Sequence, residues 1–255
     1  MSVGQYAAIG RYLADPQIWN KYTYVVNNPL RFSDPDGRRP QTDQEKKDLE
    51  FLRNFAKTTT DKDLAKAINE SVKGIESAIA ASADSAHDPR GLKIALWAIN
   101  RLAEPDTSRF GKANGTASFT TRDGQRVYAG SGQWKCNLFV AAAQVMGGGV
   151  PLGDNGVPST WRYGGAGWVS GDVNIPNANT WASMDPNAVK NYELMASPQM
   201  GDVAAWSNPS GLGHSAISLG GNLVVYAGEF NVKPNTIANV AASEGTDTVF
   251  RRKKE

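Results

Sequence analysis

Residues 132 to 140 read GQWKCNLFV, and Cys136 within them is the only cysteine in 255 residues. A single thiol makes no internal disulfide, and zinc sites built on paired cysteines are excluded. A lone thiol can serve as a nucleophile when its thiolate is favoured and a neighbouring base carries its proton. Histidine is the usual carrier, and the chain has two, His87 and His214. His87 stands in ADSAHDPRG between two helical patterns and reads as a surface-loop residue. His214 opens HSAISL, a short run that reads as a strand.

Three elements have to bring such groups together. After Cys136, Leu138, Ala141, Ala142 and Val145 fall at i, i+3, i+4 and i+7, and Gly147-Gly148-Gly149 stops the run, which predicts a helix of about three turns. The thiol then lies in the first turn, where unpaired amides and the helix dipole favour negative charge and draw a thiol pKa from ~8.5 toward neutrality. Further on, GDVAAWSNPSGLGHSAISLGGNLVVYAGEF predicts a strand from Asp202 to Trp206, a second from His214 to Leu219, a Gly220-Gly221 turn and a third from Asn222. A two-residue loop would set His214 opposite Ala227, with Glu229 diagonal to it on the same face and Tyr226 on the other. Thiol, imidazole and an orienting carboxylate are the parts of a cysteine-nucleophile system, and Cys136, His214 and Glu229 supply them.

The rest of the chain frames this unit. From Arg38 to about Asn114 the periodicity is helical. Thr42-Asp43-Gln44-Glu45 is a capping box ahead of Leu49, Leu52 and Ala56, and Leu64, Ile68, Val72, Ile75 and Ile79 mark a second helix. Pro89 opens a third, with Leu92, Ala95, Leu96, Ile99 and Leu102, so a small bundle is expected with charged runs such as Glu45-Lys46-Lys47-Asp48 on its solvated face. Asp123-Gly124 predicts a hairpin within Ser118 to Tyr128. The loop-rich stretch from about Val150 to Pro198 carries Trp161, Tyr163, Trp168 and Trp181 as candidate groove aromatics.

With 40% hydrophobic and 20% charged residues, neither wholesale disorder nor a fibre is indicated. A net charge of +2 and a pI near 8.6, with basic residues scattered until Arg251-Arg252-Lys253-Lys254, give no basic groove, and no nucleic-acid partner is expected. No run approaches the ~20 apolar residues of a membrane span, and MSVGQYAAIGRYLADPQ lacks the basic-then-apolar build of a signal peptide.

Two resemblances add to this reading. Asn20, Tyr22, Tyr24, Asn27, Asn28 and Pro29, followed by Asp34, Pro35 and Gly37, resemble the closing segment of Rhs/YD-repeat core regions, over about the first 37 residues. That resemblance implies the end of an encapsulating shell, self-cleavage after the Asp-Pro motif and a toxin domain beyond it. Arg38 stands where the family usually has Leu. A helix-start cysteine in KCNLFVAAA, then a G-D-V strand, then G-H-S-A-I-S entering a hairpin, resembles the NlpC-type and CHAP-type papain-like peptidases, over roughly residues 116 to 255. It implies Cys136 as nucleophile and His214 as base, with no cofactor and no metal. The third member stays open: by spacing the NlpC-type polar residue matches Tyr226, while CHAP-type enzymes place Glu or Asn near Glu229 or Asn231.

The expectation is an α+β chain of three parts: an Rhs-tail arm at 1–37, a helical bundle or linker at 38–115, and a papain-like domain at 116–255 with its cysteine helix packed on an antiparallel sheet. The function implied is an antibacterial effector that hydrolyses amide bonds of peptidoglycan in a target cell's periplasm. Its expected partners are the wall peptide, a cognate immunity protein and an Rhs shell or secretion apparatus. Papain-like folds also host proteases, deamidases and transglutaminase-like enzymes, so a protein substrate is the first alternative and a non-enzymatic wall-binding module with an inert thiol the second.

Overall fold

The computed structural model describes residues 39–82, 88–103, 110–111, 113, 115–120, 124, 126–129, 135–151, 168–169, 175–208 and 213–254. The Rhs-like arm with its cleavage position, His87, Trp161 and Tyr163 lie outside these residues.

Three helices come first, α1 (Asp43–Thr58), α2 (Lys62–Ala81) and α3 (Arg90–Ala103). The capping box forms as its sequence predicts: Glu45 N donates to Thr42 Oγ1 at 3.2 Å and Thr42 N to Glu45 Oε2 at 2.7 Å. Asp61 caps α2 by accepting from the amides of Asp63 and Leu64. The apolar stripes expected on α1 and α2 are buried in full, and on α3 only Leu96 is half-exposed among the expected core residues. The charged run at the start of α1 departs from expectation. Lys46 and Lys47 are exposed, but Glu45 and Asp48 are buried, Glu45 on Arg39 and Asp48 on Gln44 and Asn100.

The remainder is mixed helix and antiparallel sheet, so the chain is α+β. Strands β1 (Ala117–Thr120) and β2 (Arg126–Ala129) form the expected hairpin, joined by β3 (Trp168–Val169). The cysteine helix α4 (Cys136–Ala142) continues into a π-helical turn at Ala143–Gly147. After the short α5 (Ala178–Trp181) come β4 (Tyr192–Met195), β5 (Val203–Trp206), β6 (His214–Ser218), β7 (Leu223–Ala227), β8 (Val232–Thr236), α6 (Ile237–Glu244) and β9 (Val249–Lys253). The six long-sheet strands run in the order β4-β9-β5-β6-β7-β8.

The central strands β5, β6 and β7 are buried on both faces. Odd-numbered residues of β5, β6 and β7, including Val203, Ala205, Ile217 and Val225, share one continuous core with α4 and with all three bundle helices. Even-numbered residues, including Ala204, Trp206, Ala216, Val224 and Tyr226, pack against Val240 of α6. The bundle is therefore fused to the sheet through a common core. Trp181, one of the candidate groove aromatics, is a core residue, fully buried with its ring edge-on to Tyr192 at 4.9 Å. Arg251, the first residue of the terminal basic run, is buried on β9 and donates to the carbonyls of Trp181, Ser183 and Asp185. Among the described residues no helix is long and apolar enough to cross a membrane.

The turn between β6 and β7 differs from expectation by one residue. Leu219 N donates to Leu223 O at 2.9 Å, so the loop holds Gly220, Gly221 and Asn222. Gly220 and Gly221 take φ of +89° and +57°, a region that admits glycine without steric cost. The ladder then pairs Ile217 with Val225 and Ser218 with Val224, one step from the register a two-residue loop would set.

At the start of the described chain, Arg39 grips Glu45 and Asp88, each at 2.8 Å, and all three side chains are buried. The clamp ties the start of α1 to the residues entering α3. Burial opposes the Glu45 charge, yet the bonds from Arg39 and the Thr42 amide outweigh it and hold the carboxyl below its usual range. Arg39→Met leaves two buried carboxylates without their guanidinium and should cost about 3–5 kcal/mol at pH 7, read as a lowered urea midpoint. Because the Glu45 pKa is depressed, its contribution is present at neutral pH and is lost as pH falls below ~4, so the gap between wild type and variant should narrow there. A midpoint unchanged by the substitution would refute the clamp.

Candidate functional site

Cys136 is the first residue of α4, as the sequence predicts, and every residue of that helix is buried. Lys135 precedes it and makes no side-chain cap; its own ammonium is buried and donates to Gly111 O at 2.7 Å. The thiol is 3% exposed. Cys136 Sγ donates to Asn137 Oδ1 at 3.6 Å, and Ser215 Oγ donates to the same oxygen at 3.0 Å. The Ser215 hydroxyl and the backbone amides of Ser215, Asn137 and Cys136 lie near enough to the sulfur to favour its thiolate form.

The source of the Ser215 amide is the end of a ladder. Ser218 N donates to Asp202 O, so along β6 the even residues turn their amides toward β5 and the odd residues toward β7. Among the described pairings β7 meets β6 only at Ile217 and Ser218. At Ser215 the ladder is open, and the amide that would have bonded β7 is left near the Cys136 sulfur, where it favours a thiolate.

His214 heads β6, as predicted, but its side chain takes the other face. The imidazole lies between Trp206, 6.1 Å between ring centroids, and Tyr226, 4.4 Å away and edge-on. Both neighbours belong to the cluster under α6. Gly213, with φ of +65°, brings the backbone so near Trp206 O that a Cβ there would stand 2.4 Å from it. Cys136 and His214 are thus neighbours through the backbone of residue 215 and not through their side chains.

The third member follows from the register. Extended by one-for-one pairing, the ladder sets His214 opposite Gly228 and turns Tyr226, which a two-residue loop would have sent away, onto the His214 face. The Tyr226 hydroxyl accepts from Asn235 Nδ2 at 3.4 Å. Glu229 lies beyond the end of β7 with its side chain exposed, and its carbonyl accepts from Ala113 N at 2.9 Å. Asn231 is likewise exposed in the turn into β8. The structure brings Cys136 to Asn137 and Ser215, and His214 to Tyr226 and Trp206, without joining the two sets.

The electrostatics depart from the simple helix-start expectation as well. Burial pushes the Cys136 thiol up, and the Ser215, Asn137 and Cys136 donors pull against it without prevailing. Burial, with the Lys233 ammonium as a smaller cause, depresses His214 to about 4. Both groups are therefore neutral at pH 7. Among the described residues His214 Nε2 has no hydrogen-bond partner, and no group of His, Cys, Asp and Glu is arranged to hold a metal ion.

Ser215 and Asn137 are the site residues the sequence left unremarked. Neither is charged, and neither has a diagnostic spacing. Alternation along β6 was the one available signal, since it sends Ser215 to the face away from His214. A cavity of about 640 Å³ lies elsewhere, on the seam where Arg90 and Gly91 of α3 face Glu193 and Arg252 of the sheet.

A histidine with a depressed pKa is protonated more readily in the unfolded chain, so its stability contribution is lost as pH falls from ~6.5 toward 4. The loss should approach about 3 kcal/mol over that window, and His214→Phe should flatten the denaturation-midpoint profile there. Parallel profiles for the two proteins would show that the imidazole does not titrate as a buried group. Comparison with models of known protein families, with curated proteins and with solved structures found no match to this chain.

Proposed function

We propose that this chain is a thiol hydrolase of amide bonds in peptidoglycan, acting as an Rhs-associated antibacterial effector in the periplasm of a target cell. Cys136 is the nucleophile and His214 the proton carrier. The observation that carries this reading is the junction of α4 and β6. The chain's only cysteine heads a buried helix seated on an antiparallel sheet, and its sulfur meets the residue beside His214. The order of helix-borne cysteine before strand-borne histidine supports the papain-like reading, and the Rhs-like arm supports delivery with a shell or secretion machine and a cognate immunity protein.

The chemistry follows from the groups present. The sulfur attacks the substrate carbonyl carbon, the amides at the start of α4 steady the developing oxyanion, and the imidazolium of His214 protonates the leaving amine. Water then resolves the thioester. The reaction requires the His214 end of β6 to turn its imidazole toward the gap where the sulfur sits, since the described form holds it on the α6 side. Tyr226, Glu229 and Asn231 compete for the role of orienting group, and Tyr226 touches the ring in the described form.

One observation favours a second reading, a wall-binding module with an inert thiol: the thiol is buried and neutral, and the imidazole faces away from it. Rapid alkylation of Cys136 by iodoacetamide below pH 7 would exclude that module.

The test is mass spectrometry of soluble products from purified sacculi incubated with wild type, Cys136→Ala and His214→Ala. New muropeptides from wild type alone are the expected outcome, with a loss in each variant of at least about a hundredfold, the ordinary scale for removing a nucleophile or its base. Sacculi left intact by a wild type whose thiol alkylates quickly would transfer the activity to a protein substrate. Among Tyr226→Phe, Glu229→Gln and Asn231→Ala, the variant that loses most identifies the orienting group.

A further inference from the structure

Cys136 Sγ and Ser215 Oγ converge on one acceptor, Asn137 Oδ1, at 3.6 Å and 3.0 Å. The amides of Cys136 and Asn137 at the start of α4, and the amide and hydroxyl of Ser215 at the open ladder, stand near the sulfur. Charged and titratable residues on the elements packed about α4 are Lys135 on its own segment, Arg126 and Tyr128 on β2, His214 on β6 and Tyr226 on β7. Beyond burial, the polar groups of Ser215, Asn137 and Cys136 itself bear on the thiol. Lys135 directs its ammonium to Gly111 O, and His214 and Tyr226 face the α6 side.

Asn137 Oδ1 has a different role. It accepts from both Cys136 Sγ and Ser215 Oγ, and a carbonyl oxygen can satisfy an S–H but not a thiolate. Ser215 therefore has two partners within reach, the Asn137 oxygen and the sulfur, and one proton to offer.

We propose that Ser215 is a positioning residue for Cys136, whose hydroxyl turns from Asn137 Oδ1 to the sulfur when the thiol ionises. With the thiol protonated, S–H and O–H both point at Asn137. When the proton leaves, to His214 in the reaction or to water in a titration, Asn137 loses one donor and the Ser215 O–H rotates to the sulfur. The thiolate then gains the Ser215 hydroxyl beside the backbone amides that lie near it. Asn137 holds the resting thiol and Ser215 holds the reactive thiolate, so the two side chains act with opposite sign. The inference rests on reading Cys136 as a nucleophile, but its test needs no substrate.

Because the chain has one cysteine, selective 13C labelling of cysteine Cβ reports a single titration in the full-length protein. Relative to wild type, Ser215→Ala should raise the midpoint by about one pH unit, a tenfold smaller thiolate fraction, and Ser215→Thr should restore it by returning the hydroxyl. Asn137→Leu should move the midpoint the other way by removing the acceptor that favours S–H. Urea denaturation of each variant separates a folding defect from a changed site, and the Thr variant keeps the comparison valid if the Ala variant loosens the sheet. Shifts of the same sign in Ser215→Ala and Asn137→Leu, or no shift in folded Ser215→Ala, would overturn the inference. A wild type that titrates as described and yet leaves sacculi intact would refute the wall-hydrolase reading and leave the Ser215 role standing.

Discussion

The pleat of β6 governs this molecule's candidate chemistry. Side chains alternate across a strand without exception for chemistry, so residues 214 and 215 go to opposite faces whatever their roles. His214 joins Trp206 and Tyr226 under α6, and Ser215 joins α4 and its thiol. The turn that follows fixes the partner strand with equal rigidity. Three loop residues in place of two shift the ladder by one, and that single step moves Tyr226 to the imidazole. The open end of the same ladder leaves the Ser215 amide near the sulfur.

Burial decides the electrostatics in several places. At α4 the partial positive charge of a helix start favours a thiolate, but removing a thiolate from water costs more than those dipoles return when the whole helix is covered. The same cost keeps His214 neutral and draws Lys135 below the ordinary lysine range. Where a charge is kept inside, it has dense company. Arg251 gives its Nε and Nη2 donors to three carbonyls, and Arg39 is flanked by two carboxylates. These arrangements hold segments together that the hydrophobic core alone would leave free to slide.

The bundle and the sheet are mutually dependent because one core serves both. Ile68, Ile75 and Ile99 share their buried environment with Ile217, Val225 and the apolar residues of α4. Ser71 on α2 adds a polar tie, donating to Gly220 O in the β6–β7 turn at 3.0 Å. The helices thus bear on the same hairpin whose register places His214 and Tyr226. A change in how the bundle seats would reach the site through that turn and through the π-helical extension of α4.

The sequence by itself determined the local elements: the Thr42 capping box, the apolar stripes of α1 and α2, the Asp123-Gly124 hairpin, and the positions of Cys136 at a helix start and His214 at a strand start. Each depends on spacing, capping or turn chemistry that acts within a few residues. Tertiary structure decided what those elements present to one another. The length of the Gly220 turn depended on hydrogen bonds that several glycine-rich loops could make, and the face of His214 depended on which side α4 and α6 cover. The thiol's protonation depended on how completely the helix is buried. Such outcomes are set by packing between distant segments, and a spacing rule carries no information about which of two faces a neighbour will occupy.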